Sequence, residues 1–367
     1  MRLWSREGPG RRSGSGVTLR LLSPEGGREK VRAAVLRRVA PAEERPLSLE
    51  DLPVPFPGEG EVLLRISVCG ICRTELDEVE GRVKARLPVI PGHQVVGRVE
   101  ELGPGAGKLE RGERVGVAWI YRTCGKCPFC TSGRENLCPD FKGTGCDADG
   151  GYAEYMVVHE DFTYSLPANL SDVQAAPLLC AGAIGYRSLK LTGLRDGEVI
   201  GLYGYGSSAH LVHQLIRHLF PSAEVYVFTR RRGDGPSRLA EEQGADWVGA
   251  TGDTPPRKLH RALDTTPSGE SVREALRNLE RGGRLVMNLI RKETPIPELD
   301  YASHLWWEKE VKSVANVTRE DVREFLRVAA EIPLRPSVTE FRLEEANEAL
   351  LSLKQGRYRG SGVLKVG

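Results

Sequence analysis

No apolar run in this chain reaches the roughly 18 residues that a membrane-spanning helix needs, so no membrane partner is expected. An export signal is lacking too: the one apolar patch near the start, Val17 to Leu22, is short and broken by Arg20. A strong charge of one sign is also missing. The formal net charge is +2, and residues 1–30, with seven Lys/Arg against three Asp/Glu, carry +4, which leaves −2 for residues 31–367. The body of the chain therefore has no basic bias towards nucleic acid. Residues 1–30, rich in Arg, Gly, Ser and Pro, read as a disordered or artefactual tail, with Val31 as the natural initiator. Disulfides need an oxidising compartment, and with no signal for one the expected location is cytoplasmic.

What is present is a cysteine run. Cys124, Cys127, Cys130 and Cys138 follow a C-x2-C-x2-C-x7-C spacing, with Gly125, Pro128 and Gly133 between the thiols. Four soft sulfurs on one short lobe can close tetrahedrally around Zn²⁺, leaving no open position, so this site is expected to be structural. Alone, it would suit a zinc-ribbon nucleic-acid binder. A second set points elsewhere: Cys72 in Gly70-Ile71-Cys72-Arg73-Thr74-Glu75, His93 in Pro91-Gly92-His93-Gln94, and Cys180 in Leu178-Leu179-Cys180-Ala181-Gly182. Two thiolates and an imidazole leave a fourth zinc position free for water or substrate, as catalysis requires.

The 367 residues exceed what one core usually serves. From Val31 to about Ser165 short β-type runs bounded by Gly and Pro (62–66, 95–99, 114–117) suggest a partly open barrel. From about Ala181 the pattern becomes α/β. A buried-strand run, 198–203, leads into Gly204-Tyr205-Gly206-Ser207-Ser208-Ala209, a helix-compatible stretch to Leu219 and a second strand, 224–228. This is βαβ with G-x-G-x-x-A at its first turn, the arrangement that places a dinucleotide pyrophosphate on a helix N-terminus. Runs 244–248, 259–263 and 282–287 read as further parallel strands.

Together these motifs, with Gly150-Gly151-Tyr152-Ala153-Glu154-Tyr155, resemble the zinc-dependent alcohol dehydrogenases of the medium-chain dehydrogenase/reductase family. Within that family the chain is most similar to the bacterial propanol-preferring branch. The resemblance implies a GroES-like partly open β-barrel catalytic domain (31–180 and 318–367) and a Rossmann doubly wound parallel sheet (181–317). It implies two zinc ions per chain, catalytic at Cys72, His93 and Cys180 and structural at the four-thiol lobe. NAD or NADP would bind at Gly204, Gly206, Ser207, Ser208 and Ala209, with Arg73 reaching the pyrophosphate and Thr229 and Arg230 at the ribose end. Thr74 would take the alcohol proton, and Glu75 would orient His93. The expected reaction is reversible oxidation of primary or secondary alcohols, with a small-molecule substrate and a homodimer or homotetramer. An aldehyde, ketone or enal reductase of the same fold is the alternative.

Three positions depart from the resembled pattern. Asp77 stands where that branch commonly has the relay's outer histidine, and reads either as a replacement proton acceptor or as a solvated surface carboxylate. Gln94 replaces a usual Glu beside the ligand histidine, which argues against the polyol dehydrogenases. The second Rossmann strand ends in Thr229-Arg230-Arg231-Arg232 where an acid would bind the NAD ribose, which favours NADP. Cys69 is expected in the core. Cys146 reads as buried or as a free oxidisable thiol, and Trp306-Trp307 as core or subunit contact. Trp119, Tyr121 and Ile290 are expected to shape the substrate pocket.

Overall fold

The computed structural model describes residues 30–332 and 334–367, so the expectations for the tail before Lys30 lie outside the described residues. Two sheets organise them. The first is built around Glu61–Ile71, whose Val62, Leu64 and Ile66 are buried. This strand pairs antiparallel with Val95–Leu102 and Tyr155–His159, and at its far end with Ser361–Lys365. Arg114–Val117 and then Thr163–Ser165 extend the sheet on one side, and Val338–Arg342 on the other. The register against Val95–Leu102 slips at Leu63/Leu64 and again at Ile66/Val68. Such bulges bend a strand, which a curling sheet requires. Gly97 faces the bend, where a Cβ would lie 2.6 Å from the Arg65 carbonyl.

The second sheet is parallel throughout. Its order is Trp247–Ala250, Glu224–Thr229, Val199–Tyr203, Leu259–Asp264, Leu279–Met287 and Glu310–Ser313. Numbered within the sheet, this is 3-2-1-4-5-6, the doubly wound order, with its direction reversing between Val199–Tyr203 and Leu259–Asp264. Every residue of Val199–Tyr203 is buried, as a central strand covered on both faces must be. The strand expected at 244–248 begins only at Trp247, because Gly244 (φ +76°) is used to end the preceding helix. The helix expected from Ala209 begins at Ser207, directly after the Gly206 N-cap.

Two helices tie the sheets together. Ala181–Thr192 starts at Cys180 and packs on Ser207–Leu219. Gly185 permits this approach: a Cβ there would stand 2.7 Å from Val212 and 2.9 Å from the Ser208 hydroxyl. Thr318 caps Arg319–Glu331 reciprocally with Asp321, and Asp321 also pairs with Arg187 of the first helix.

Candidate active site

Cys72 closes the strand Glu61–Ile71 and N-caps the helix Arg73–Val79 in an extended conformation. Its N–H donates to Glu75 Oε2 at 2.8 Å. His93 follows Gly92, whose φ of +102° and contact with Tyr152 leave no room for a side chain. Cys180 arrives from the other direction, as the cap of Ala181–Thr192. One ligand atom from each of Cys72, His93 and Cys180 lies within 4.8 Å of the other two. His93 Nδ1 sits 2.5 Å from Glu75 Oε1 with both groups buried, so the other ring nitrogen is the one left for the thiols. A carboxylate fixing an imidazole in this way is the usual support of a metal-ligating histidine. The Trp119 ring stands edge-on to His93 at 4.9 Å and forms one wall.

Charge fits the same purpose. The Cys180 thiol holds the Cys72 sulfur well below the ordinary thiol range. Burial opposes a charged His93, but the Glu75 carboxylate and the Cys72 sulfur outweigh it and raise the imidazole. A partly buried cluster of an ionised sulfur, a second thiol and an oriented imidazole is what a divalent cation would complete. Thr74 Oγ1 lies 3.7 Å from Cys72 Sγ, so a hydroxyl stands beside the ligand set.

The four-thiol lobe meets the same test. Its S···S distances are 3.5 Å (Cys127–Cys130), 3.6 Å (Cys124–Cys138) and 3.9 Å (Cys124–Cys130). Thiolates placed about 2.3 Å from a tetrahedral zinc would be about 3.8 Å apart, whereas a disulfide needs about 2.05 Å. All eight cysteines are free. Backbone amides aimed at Cys124 hold its thiol down to about 6.

At the switch point, Gly204 (φ +85°) turns the chain out of Val199–Tyr203, and a Cβ there would lie 2.8 Å from Thr265 Oγ1. Gly206 caps the helix Ser207–Leu219 without a side-chain bond and faces open space, with nothing within 4 Å of a Cβ built on it. The first amides of that helix therefore border a cradle that a pyrophosphate would fill. The Ser207 hydroxyl bonds that of Ser361, and Ser361 adjoins Gly362, which pairs with Ile71 just before Cys72. The cradle and the metal ligands are thus adjacent parts of one cleft.

Several expectations need correction. Thr229 does not offer its hydroxyl to a ligand: it is buried and bonded to Ser237 Oγ (2.8 Å) and to the Arg231 carbonyl (3.0 Å), so it shapes the loop. Arg232 is engaged with Asp253 at 2.8 Å, while Arg230 is exposed with no ion pair among the described residues. Asp77 is not a solvated surface carboxylate, because its side chain is 1% exposed and held by Arg82 and Arg291. Cys146 is buried with its sulfur against the Lys84 carbonyl, which leaves no accessible thiol. Trp306 and Trp307 are exposed and not in the core, and Ile290 is exposed too. Sequence reasoning missed Arg291, Lys292 and Asp264. Their position at the carboxyl ends of parallel strands was the available signal.

Comparison with known proteins fits this geometry. Residues 58–168 match the family model described as the alcohol dehydrogenase GroES-like domain. The protein named "Probable alcohol dehydrogenase AdhA" of Mycobacterium tuberculosis is 43% identical over 90% of this chain and 96% of its own length. An alcohol dehydrogenase of Geobacillus stearothermophilus is 35% identical over 88% of this chain and 96% of its own. The cobalt- and zinc-bound thermostable alcohol dehydrogenase of Pyrobaculum aerophilum superposes with a TM-score of 0.81 at 26% identity, covering 92% of this chain and 99% of that one. The zinc-ribbon nucleic-acid alternative is not favoured. No helix among the described residues is long and apolar enough to cross a membrane.

Proposed function

The chain belongs to the alcohol dehydrogenase family, and from that premise we propose that it oxidises small primary or secondary alcohols reversibly at the Cys72–His93–Cys180 site. The observation that carries this is the placing of those three ligands beside the Thr74 hydroxyl and next to the Gly204–Ser208 cradle. In this reading residues 31–180 and 318–367 form the catalytic unit and 181–317 the dinucleotide-binding unit.

When bound, zinc would supply Lewis acidity at the substrate oxygen, and a nicotinamide cofactor would supply the hydride acceptor. Cys72, His93 and Cys180 hold the metal, and Glu75 fixes the orientation of His93. Thr74 Oγ1 would take the proton of the substrate hydroxyl while passing its own proton on to water. Gly204, Gly206 and the first amides of Ser207–Leu219 seat the pyrophosphate, with Arg73 as its cation. Arg230, exposed and without an ion pair among the described residues, suits a ribose 2′-phosphate and so favours NADP over NAD. The four-thiol lobe has no open position and stabilises its own fold.

The edge strand Glu310–Ser313 is exposed at all four residues, and Val311, Trp306 and Trp307 leave apolar surface near it. An uncovered edge with apolar flanks suits pairing with a second copy. Light scattering of purified protein tests this, with a monomer at micromolar concentration as the contrary result. For the catalytic reading, zinc per chain is quantified while 1-propanol and benzyl alcohol oxidation is followed with NAD⁺ and NADP⁺ in parallel. Turnover with NADP⁺ exceeding that with NAD⁺ is expected. A zinc-loaded protein with no turnover would refute the reading.

A further inference from the structure

A carboxylate on the metal-site helix is held by a guanidinium that reaches it from across the cleft. Asp77 sits on Arg73–Val79, in the half of the molecule built on the seven-stranded sheet. Its Oδ1 accepts from Arg82 Nε at 2.6 Å. Arg291, beyond the strand Leu279–Met287 of the other sheet, grips it with a two-pronged fork: Nε to Oδ2 at 3.1 Å and Nη2 to Oδ1 at 2.9 Å. The carboxylate is buried beneath both guanidiniums.

The segment 288–296 that carries Arg291 is tied at both ends. Asn288 donates its N–H to the Asp264 carbonyl at 2.8 Å and its side-chain amide to Ser208 Oγ at 3.3 Å. Lys292 bonds the buried Asp264 carboxylate and the Thr266 carbonyl. Glu293 donates its N–H to the Pro267 carbonyl at 2.7 Å, while its carboxylate faces Arg291 at 3.4 Å and Arg73 at 3.9 Å. Adjacent residues thus point opposite ways, with Lys292 into the Rossmann strand ends and Arg291 across to the metal-site helix.

We infer that Asp77 and Arg291 form an interdomain strap that fixes the segment 288–296 against the helix Arg73–Val79 and so sets the cleft in its cofactor-binding arrangement. The inference rests on the dehydrogenase reading for which ligand enters the cleft. Asp77 and Arg291 are positioning residues, and Asp77 is not the relay's base, because both of its oxygens already accept from guanidiniums. A strap of this kind raises the fraction of molecules competent to bind, and apparent affinity scales with that fraction.

The test uses the full-length zinc-loaded protein and four variants, Arg291→Gln, Arg291→Lys, Asp77→Asn and the double of the first and third, with NADH and NADPH binding followed by fluorescence and amide hydrogen exchange measured across 288–296. Arg291→Gln is expected to weaken the better-bound cofactor about tenfold, as an interdomain coupling of ordinary size would. It should speed exchange in 288–296 and leave the basic limb of the pH–rate profile in place. Arg291→Lys, which keeps the charge but cannot form the fork, falls between. The double variant Asp77→Asn with Arg291→Gln should be no weaker than the worse single, because both act on the same Asp77–Arg291 pair. Cofactor affinity within twofold of the parent and unchanged exchange in Arg291→Gln would overturn the strap. So would a basic limb lost in Asp77→Asn alone, which would return Asp77 to the relay. Exchange and binding are read without turnover, so a parent protein inactive on alcohols would sink the catalytic reading and leave the strap to be judged separately.

Discussion

Glu75 carries a prediction whose size can be worked from its contacts. The residue is fully buried, with one oxygen on the Cys72 amide at 2.8 Å and the other 2.5 Å from His93 Nδ1. It therefore fixes two of the three metal ligands at once. Glu75→Leu removes both contacts while keeping the volume. Loss of a partner behind a ligating histidine costs about 10–100-fold in metal affinity. That corresponds to about 1.4–2.8 kcal/mol, and the lost helix cap adds about 1 kcal/mol against folding. Glu75→Gln retains one acceptor oxygen and should sit near the low end. The assay is zinc retention per chain against rising chelator, with circular dichroism to verify folding. The four-thiol lobe acts as an internal reference: its zinc should be retained as in the parent, while the other ion leaves at lower chelator. A Glu75→Leu protein that is folded and retains both ions like the parent would refute the argument.

Other outcomes follow from single contacts. Gly204→Ala forces a Cβ into Thr265 at a φ of +85°, so it should cost about 1–3 kcal/mol of stability, read by urea unfolding. Gly206→Ala has free space and should fold normally but bind NADPH more weakly, because the methyl occupies the cradle; unchanged binding would contradict the assignment. Burial holds the His213 imidazole down to about 4 against about 6.5 when unfolded, so the unfolded chain takes up a proton that the folded one refuses as pH falls. Stability from this group is complete above about pH 6.5 and is lost towards pH 4, by about 3 kcal/mol. The stability gap between parent and His213→Gln should narrow by that order across the window, and a constant gap would refute it. Cys130→Ser breaks the tetrahedron of the lobe and should lower zinc content by one ion and reduce thermal stability, as loss of a structural zinc does; an unchanged melting curve would argue against a structural metal.

Much of the site was legible because its chemistry is written in local spacing. The four thiols lie within 15 residues, and the G-x-G-x-x-A turn lies between a buried strand and a helix, so each motif reveals its own geometry. Bringing Cys72, His93 and Cys180 together was readable only through the whole ordered set, since no spacing rule joins positions so far apart. Asp77 shows where sequence reading fails. Its environment is made by Arg291, which lies 214 residues away, and no periodicity signals that pairing. Thr229 fails for a different reason: its hydroxyl was free to face either the ribose or its own loop, and the Ser237 contact decides the matter. From sequence the pair Trp306-Trp307 reads partly as core because large aromatics usually are, whereas Arg281 stacks on Trp307 at 3.8 Å and both rings are exposed.

The pairing of Ser361–Lys365 with the end of Glu61–Ile71 also sets an order of assembly. The six parallel strands come from one uninterrupted stretch, 199–313, and can close as soon as that stretch leaves the ribosome. The seven-stranded sheet cannot, because Ile71 must await Gly362, which is made long after the parallel strands. The half that carries Cys72 and His93 is therefore begun before the parallel sheet and completed after it, so a polypeptide cut before Ser361 would lose the strand beside the metal ligands while its nucleotide-type sheet remained whole.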